Sequence, residues 1–159
     1  MSENEHEAKM AHPRMASGAL FFDDHGQVLL LEPTYKDYRD IPGGYVETGE
    51  SPLQACAREV REELGITPAI GRLLAVDWAP NPTEGDKVLY IFDGGTLSPE
   101  LEGAIQLEAA EIRAYAYHSL AAVDELTIPR LARRIKAAAA ARSERRVSYL
   151  EHGQEVVPQ

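Results

Sequence analysis

Apolar residues in this chain fall into short runs divided by polar, glycine- or proline-bearing stretches, the pattern of a mixed α/β protein. Met15–Phe22 and Gln27–Leu31 flank the turn residues Asp23, Asp24, His25 and Gly26 and are read as two strands. Ile70–Trp78, Lys87–Phe92 and Glu111–Tyr117 are read as three more, with loops expected at Glu32–Asp40 and Ala79–Asp86. Ile41–Gly49 is glycine-rich and expected to be irregular. Ser51–Leu64 has helical periodicity. A second helix is expected from a Thr127 cap and Pro129 through Arg142, its alanine run Ala137–Ala141 favouring helix. Strands interleaved with two helices predict a mixed α/β sandwich. The expected organisation is a flexible tail over residues 1–14, one domain over 15–142, and an extension over 143–159 with a short strand at Val147–Leu150.

The first helix carries the chemistry. Ser51 is placed as its N-cap, Pro52 suits the first helical position, Gln54 completes a capping box, and Gly65 can end it in a left-handed conformation. Winding the segment at about 100° per residue puts Leu53, Cys56, Ala57, Val60 and Leu64 on one arc, read as the core face. Glu59, Glu62 and Glu63 share a neighbouring arc, because positions i, i+3 and i+4 lie on one face. Three carboxylates so placed repel each other, and a helix selected only for stability would rarely choose that. A divalent cation turns the repulsion into affinity. Hard oxygen ligands suit Mg²⁺ or Mn²⁺ better than zinc, and several acids here leave room for more than one ion and a pyrophosphate. Gly43, Gly44 and Gly49 precede the helix, so the backbone there can turn sharply and approach a metal or phosphate closely.

The segment Gly43–Ile66 resembles the Nudix box of the Nudix hydrolase family (MutT-like). Gly44, Glu50, Arg58, Glu59, Val60, Glu62, Glu63, Gly65 and Ile66 fill every fixed position. At about 7% usage per residue type, a chance match at one starting point is on the order of 1 in 10⁸. The resemblance implies a Nudix-type α/β/α sandwich with a mixed sheet. It implies that Glu59, Glu62 and Glu63 are metal ligands, with Gly43 through its carbonyl as a further one and Glu47 reaching metal through water. Glu50 and Arg58 would form an ion pair that pins loop to helix, a structural role shared with Gly44 and Gly65. Glu62 or Glu63 would be the bridging ligand or base, with Glu111 as an acid outside the box and Glu108 its neighbour. The implied reaction is metal-dependent hydrolysis of a phosphoanhydride in a nucleoside diphosphate linked to another moiety. Pro82, sixteen positions past Ile66, leans the reading toward an ADP-ribose or nucleotide-sugar substrate. The alternatives are a housecleaning nucleoside triphosphate pyrophosphatase and a non-catalytic Nudix-fold nucleotide sensor.

Charge and the remaining residues narrow the partners. The chain has 16 Lys and Arg against 26 Asp and Glu, a net charge of −10, the wrong sign for holding a nucleic-acid polymer by its backbone. No apolar run approaches a membrane span and the start of the chain has no signal-peptide character, so a cytoplasmic location is expected. The expected partner is a small nucleotide, with a homodimer plausible from the C-terminal helix and tail. Cys56, the single cysteine, excludes an internal disulfide and is read as core. His6, His12, His25, His118 and His152 form no pair at ligand spacing. Tyr35, Tyr38, Trp78 and Tyr90 are candidates for stacking a base, and the pairs Arg133-Arg134 and Arg145-Arg146 are expected to be solvated.

Overall fold

In the computed structural model, which describes residues 1–157, the elements run in the order β1 (Arg14–Phe21), β2 (Val28–Pro33), β3 (Gly43–Tyr45), α2 (Pro52–Leu64), β4 (Leu73–Trp78), β5 (Lys87–Gly95), α3 (Pro99–Gly103), β6 (Ile112–His118), α4 (Val123–Leu126), α5 (Pro129–Ser143), β7 (Ser148–Glu151) and β8 (Gln154–Glu155), with α1 (Glu3–Lys9) before them. A six-stranded mixed sheet has the order β3-β1-β5-β4-β7-β8, and β2 and β6 form a separate antiparallel pair.

β1 lies inside the sheet between β3 and β5 and is buried on both faces, which explains its nearly unbroken apolar run. Ala19 and Phe21 pack with Cys56, Val60 and Leu64 of α2, whereas Leu20 and Phe22 pack with Leu131 and Ile135 of α5. Helices therefore cover the two sides of the sheet. β2 continues both cores, Leu29 and Leu31 on the α2 side and Val28 and Leu30 on the α5 side. β1 and β2 are nonetheless not a hairpin. The Asp23 carboxylate accepts from the N–H groups of His25 and Gln27, and only the Phe22–Val28 bridge joins the strands before they part into different sheets.

Five features depart from the sequence pattern. The glycine-rich stretch includes the short strand β3, and α3 and α4 occupy segments to which the pattern assigns no element. Residues 3–9 form a wholly exposed helix capped by Ser2. The N-cap of α5 is Ile128, with no side-chain cap bond, because the Thr127 hydroxyl turns back to the Val123 carbonyl at 2.6 Å and closes α4 instead. Arg134 is not solvated: it is buried against Asp77, whose carboxylate accepts from Arg134 Nε at 2.6 Å and from Gly153 N at 3.0 Å. Arg133, in contrast, stays at the surface and donates to the His152 carbonyl. Beyond α5, β7 runs parallel to β4 and buries Leu150, so residues 148–155 complete the sheet edge; residues 158–159 of the expected extension lie outside the described residues. No described helix is long and apolar enough to cross a membrane.

Candidate active site

The site begins with how α2 is held. Ser51 Oγ accepts from Gln54 N and Gln54 Oε1 accepts from Ser51 N, a reciprocal capping box, with Pro52 in the first turn. Gly65 ends the helix at φ 69°. The face it buries is rotated from the one the apolar residues suggest. Leu53 is 45% exposed, while Ala55, Cys56, Val60, Glu63 and Leu64 are buried. The helix thus turns one of its glutamates inward.

Glu63 is 5% exposed, and its Oε1 accepts the Gly43 N–H at 2.7 Å. Burial pushes its carboxyl up to about 8; the Gly43 N–H opposes this, and the negative charges of Glu59, Asp40 and Glu111 add to it. Glu59 is also raised, mainly by burial, with the Arg58 bond opposing. The glycine pair permits this arrangement. A Cβ on Gly44 would lie 2.5 Å from Glu59 Oε1, and one on Gly43 would lie 2.4 Å from the Ser17 carbonyl of β1. Only bare backbone lets strand and carboxylates come so close.

Arg58 organises the surrounding loop. Its guanidinium binds Glu50 through Nε at 2.7 Å and Nη2 at 3.0 Å, and Nη2 also donates to the Tyr45 carbonyl at 3.0 Å. Nη1 reaches Glu59 at 2.9 Å and Glu62 at 3.2 Å, with Glu47 at 3.8 Å. The Arg58 bond, with the Glu47 N–H, holds Glu50 down at about 2. Arg58→Ala is expected to lower turnover on the order of 100-fold, since it frees the loop and two box glutamates at once. Arg58→Lys should restore little, because an ammonium cannot make the forked contact. Steady-state kinetics and a thermal melt of each variant check this; near wild-type turnover for Arg58→Ala would discard the organising role.

The outlying acids divide. Glu108 turns its carboxylate to its own loop, accepting from Ala110 N at 3.2 Å. Glu111 is exposed and lies close enough to Glu59 and Glu63 to raise both. Glu63 has no cationic partner among the described residues. Among those residues, no three acidic, histidine or cysteine side chains are gathered tightly enough to enclose an ion unaided. The donors are all hard oxygens, so the site fits an ion that completes its shell with water and substrate, as Mg²⁺ does.

Glu63 and Gly43 form part of the wall of a cavity of about 390 Å³ on the α5 side of the sheet. Ala16, Gly18, Leu89 and Ile91 of β1 and β5 also line it, as do the β2–β3 connection, with Tyr35, Lys36, Tyr38 and Asp40, and the start of α5. Three of the four aromatic candidates, Tyr35, Tyr38 and Tyr90, line the cavity; Trp78 sits elsewhere, at the end of β4 between β5 and β7. Sequence reading missed Lys36, Asp40, Tyr45, Glu84, Lys87 and Arg130. They are scattered from 36 to 130 with no shared spacing, so no local signal marked them.

The NUDIX domain family matches residues 12–139 of the chain. The chain belongs to the Nudix family. Its Nudix domain is 29% identical over 104 residues to the ADP-ribose pyrophosphatase of Methanocaldococcus jannaschii, covering 63% of this chain and 61% of that relative. Among solved structures, the MutT protein from Methanosarcina mazei superposes with a TM-score of 0.67 at 26% identity, over 86% of this chain and 99% of that one. A UDP-X diphosphatase superposes at 0.70 and 22% identity, over 94% and 76%, a likeness of fold. Nudix hydrolases generally use divalent metal ions.

Proposed function

We propose that this Nudix domain is a Mg²⁺- or Mn²⁺-dependent hydrolase that splits the phosphoanhydride of a nucleoside diphosphate linked to a second moiety, ADP-ribose or a nucleotide sugar. The observation that carries this reading is Glu63: a buried carboxylate, held by a backbone N–H and without a counter-cation, in the wall of a cavity with room for a small ligand. The relative named an ADP-ribose pyrophosphatase supports the substrate class.

Glu59, Glu62 and Glu63, with the Gly43 carbonyl and Glu47, are the groups that would hold the ions. Bound dications would neutralise the phosphate oxygens and lower the pKa of an attacking water. Glu62 or Glu63 takes the proton of that water, and Glu111 stands at the same cluster as the outlying acid. The water oxygen bonds to one phosphorus, the bridging P–O bond breaks, and two phosphomonoesters leave. Gly44 keeps Glu59 against the strand, and Arg58 with Glu50 keeps the loop in place. Tyr35 and Tyr38 offer aromatic faces to a base or sugar at the cleft.

With Mg²⁺ or Mn²⁺ the protein is expected to release AMP from ADP-ribose, and excess chelator should stop the release. Faster conversion of nucleoside triphosphates to monophosphate and pyrophosphate would move the assignment to a housecleaning enzyme. Tight calorimetric binding without turnover of either substrate would make the domain a sensor.

A further inference from the structure

Four cationic side chains line the cavity: Lys36, Lys87, Arg130 and Arg134. Three are neutralised locally. Lys36 is 2.6 Å from Asp40, Lys87 is 2.9 Å from Glu84, and Arg134 is 2.6 Å from Asp77. Arg130 alone of the four has no ion pair and no side-chain hydrogen bond among the described residues, and it is exposed. Its position does not serve the helix. It lies in the first turn of α5, where a cation opposes the helix dipole.

The neighbourhood of Arg130 is built. Glu84 lies within its field. The Glu84 carboxylate accepts from the Tyr45 hydroxyl, from Asn81 Nδ2 at 2.9 Å and from Lys87 Nζ, which also reaches the Tyr45 hydroxyl at 3.2 Å and sits over its ring. These contacts occupy the Glu84 carboxylate and leave the Arg130 guanidinium without a direct partner in a protein of net charge −10.

This corner is remote from Glu63. Gly43, which holds Glu63, pairs with Gly18 of β1, whereas Lys87 pairs with Arg14. Four residues of β1 separate the two places, about 13 Å at the ordinary strand rise, farther than the phosphates of one anhydride extend. The cleft is therefore bipolar, acidic where the anhydride would sit and basic where an attached group would reach.

We propose that Arg130, beside Lys87, is a specificity determinant that selects diphosphates whose attached moiety carries a further anionic group, a carboxylate or a phosphate. The proposal rests on the phosphoanhydride reading above and adds the substrate class within it.

Matched substrates test it. UDP-glucuronate differs from UDP-glucose by a carboxylate, and ADP-ribose phosphorylated on its terminal ribose differs from ADP-ribose by a phosphate. With Mg²⁺ or Mn²⁺, the charged member of at least one pair is expected to be favoured about tenfold in kcat/KM, chiefly through KM. The pair that shows it tells carboxylate from phosphate. Arg130→Gln should bring that preference close to one, Arg130→Lys should keep most of it, and Arg133→Gln, the same charge removed from the half-buried arginine that donates to the His152 carbonyl, should leave it unchanged. Equal kcat/KM within both pairs overturns the proposal and leaves the phosphoanhydride reading standing, as does a preference that survives Arg130→Gln or vanishes equally with Arg133→Gln. Hydrolysis of none of the four overturns both.

Discussion

Glu63→Gln is expected to remove turnover while stabilising the metal-free protein at pH 8. The amide keeps an oxygen that can accept the Gly43 N–H at the 2.7 Å contact, so the local fold has no reason to change. What disappears is a charge that burial disfavours. The wild-type carboxyl moves from an ordinary 4.5 to about 8 on folding. Between those values the folded protein keeps a proton that the unfolded chain has released, so this carboxyl's contribution to the stability of the metal-free protein is full below pH 4.5 and declines as pH rises toward 8. Glu63→Gln should flatten that decline. Added Mg²⁺ should raise the wild-type melting temperature more at pH 8 than at pH 6, and should raise that of the variant little. Loss of a metal ligand or base is expected to lower kcat by a factor on the order of 10² to 10⁴. Thermal melts with chelator and with Mg²⁺ across this pH range, beside kinetics, check both halves. A variant less stable than wild type at pH 8 without metal would show that Glu63 is not a buried, uncompensated acid.

Arg134→Met should have the largest effect on stability. Asp77 has no solvent exposure and Arg134 is 5% exposed, so removing the cation strands a buried carboxylate with one remaining donor, Gly153 N. Breaking such a pair costs about 3–5 kcal/mol. For a chain of this size that lowers the melting temperature by roughly 2–4 °C per kcal/mol. The double variant Arg134→Met with Asp77→Leu should recover part of the loss, since only the Gly153 N–H is then left without its acceptor. A drop for Arg134→Met too small to separate from wild type, or a double variant no better than the single, would rule out a stabilising buried pair. The pair matters to the site because it ties α5, which carries Arg130 and Leu131 of the cleft wall, to β4 and, through Gly153, to the β7–β8 edge.

The comparison of Glu62 with Glu63 shows where the chain alone stops being informative. Spacing puts Glu59, Glu62 and Glu63 on one helical arc, and the caps at Ser51 and Gly65 bound the helix from local chemistry. Those relations span a few residues and follow from 3.6-residue geometry whatever the partner. Which glutamate is buried does not follow, because the helix settles its rotation against β1 and β3. There the absent side chain of Gly44 admits Glu59, that of Gly43 lets β3 close on β1 with its N–H on Glu63, and Leu53 is left exposed. The apolar arc alone misplaced that face.

Arg134 and Arg130 make the same point. In sequence Arg134 reads as a solvated cation and Arg130 carries no signal, yet one is neutralised by Asp77, 57 positions away, and the other lines a cleft with Lys87 and Glu84. By itself the sequence determined the class of fold, the helix that bears the glutamates, the loop glycines before it and the resemblance to a metal-dependent family, because these depend on propensity, capping and spacing within short stretches. Only the tertiary structure decided which carboxylate loses its water, which cation keeps its charge, and what shape lies between them. Desolvation and charge pairing are properties of neighbours in space, and those neighbours come from strands and loops far apart along the chain.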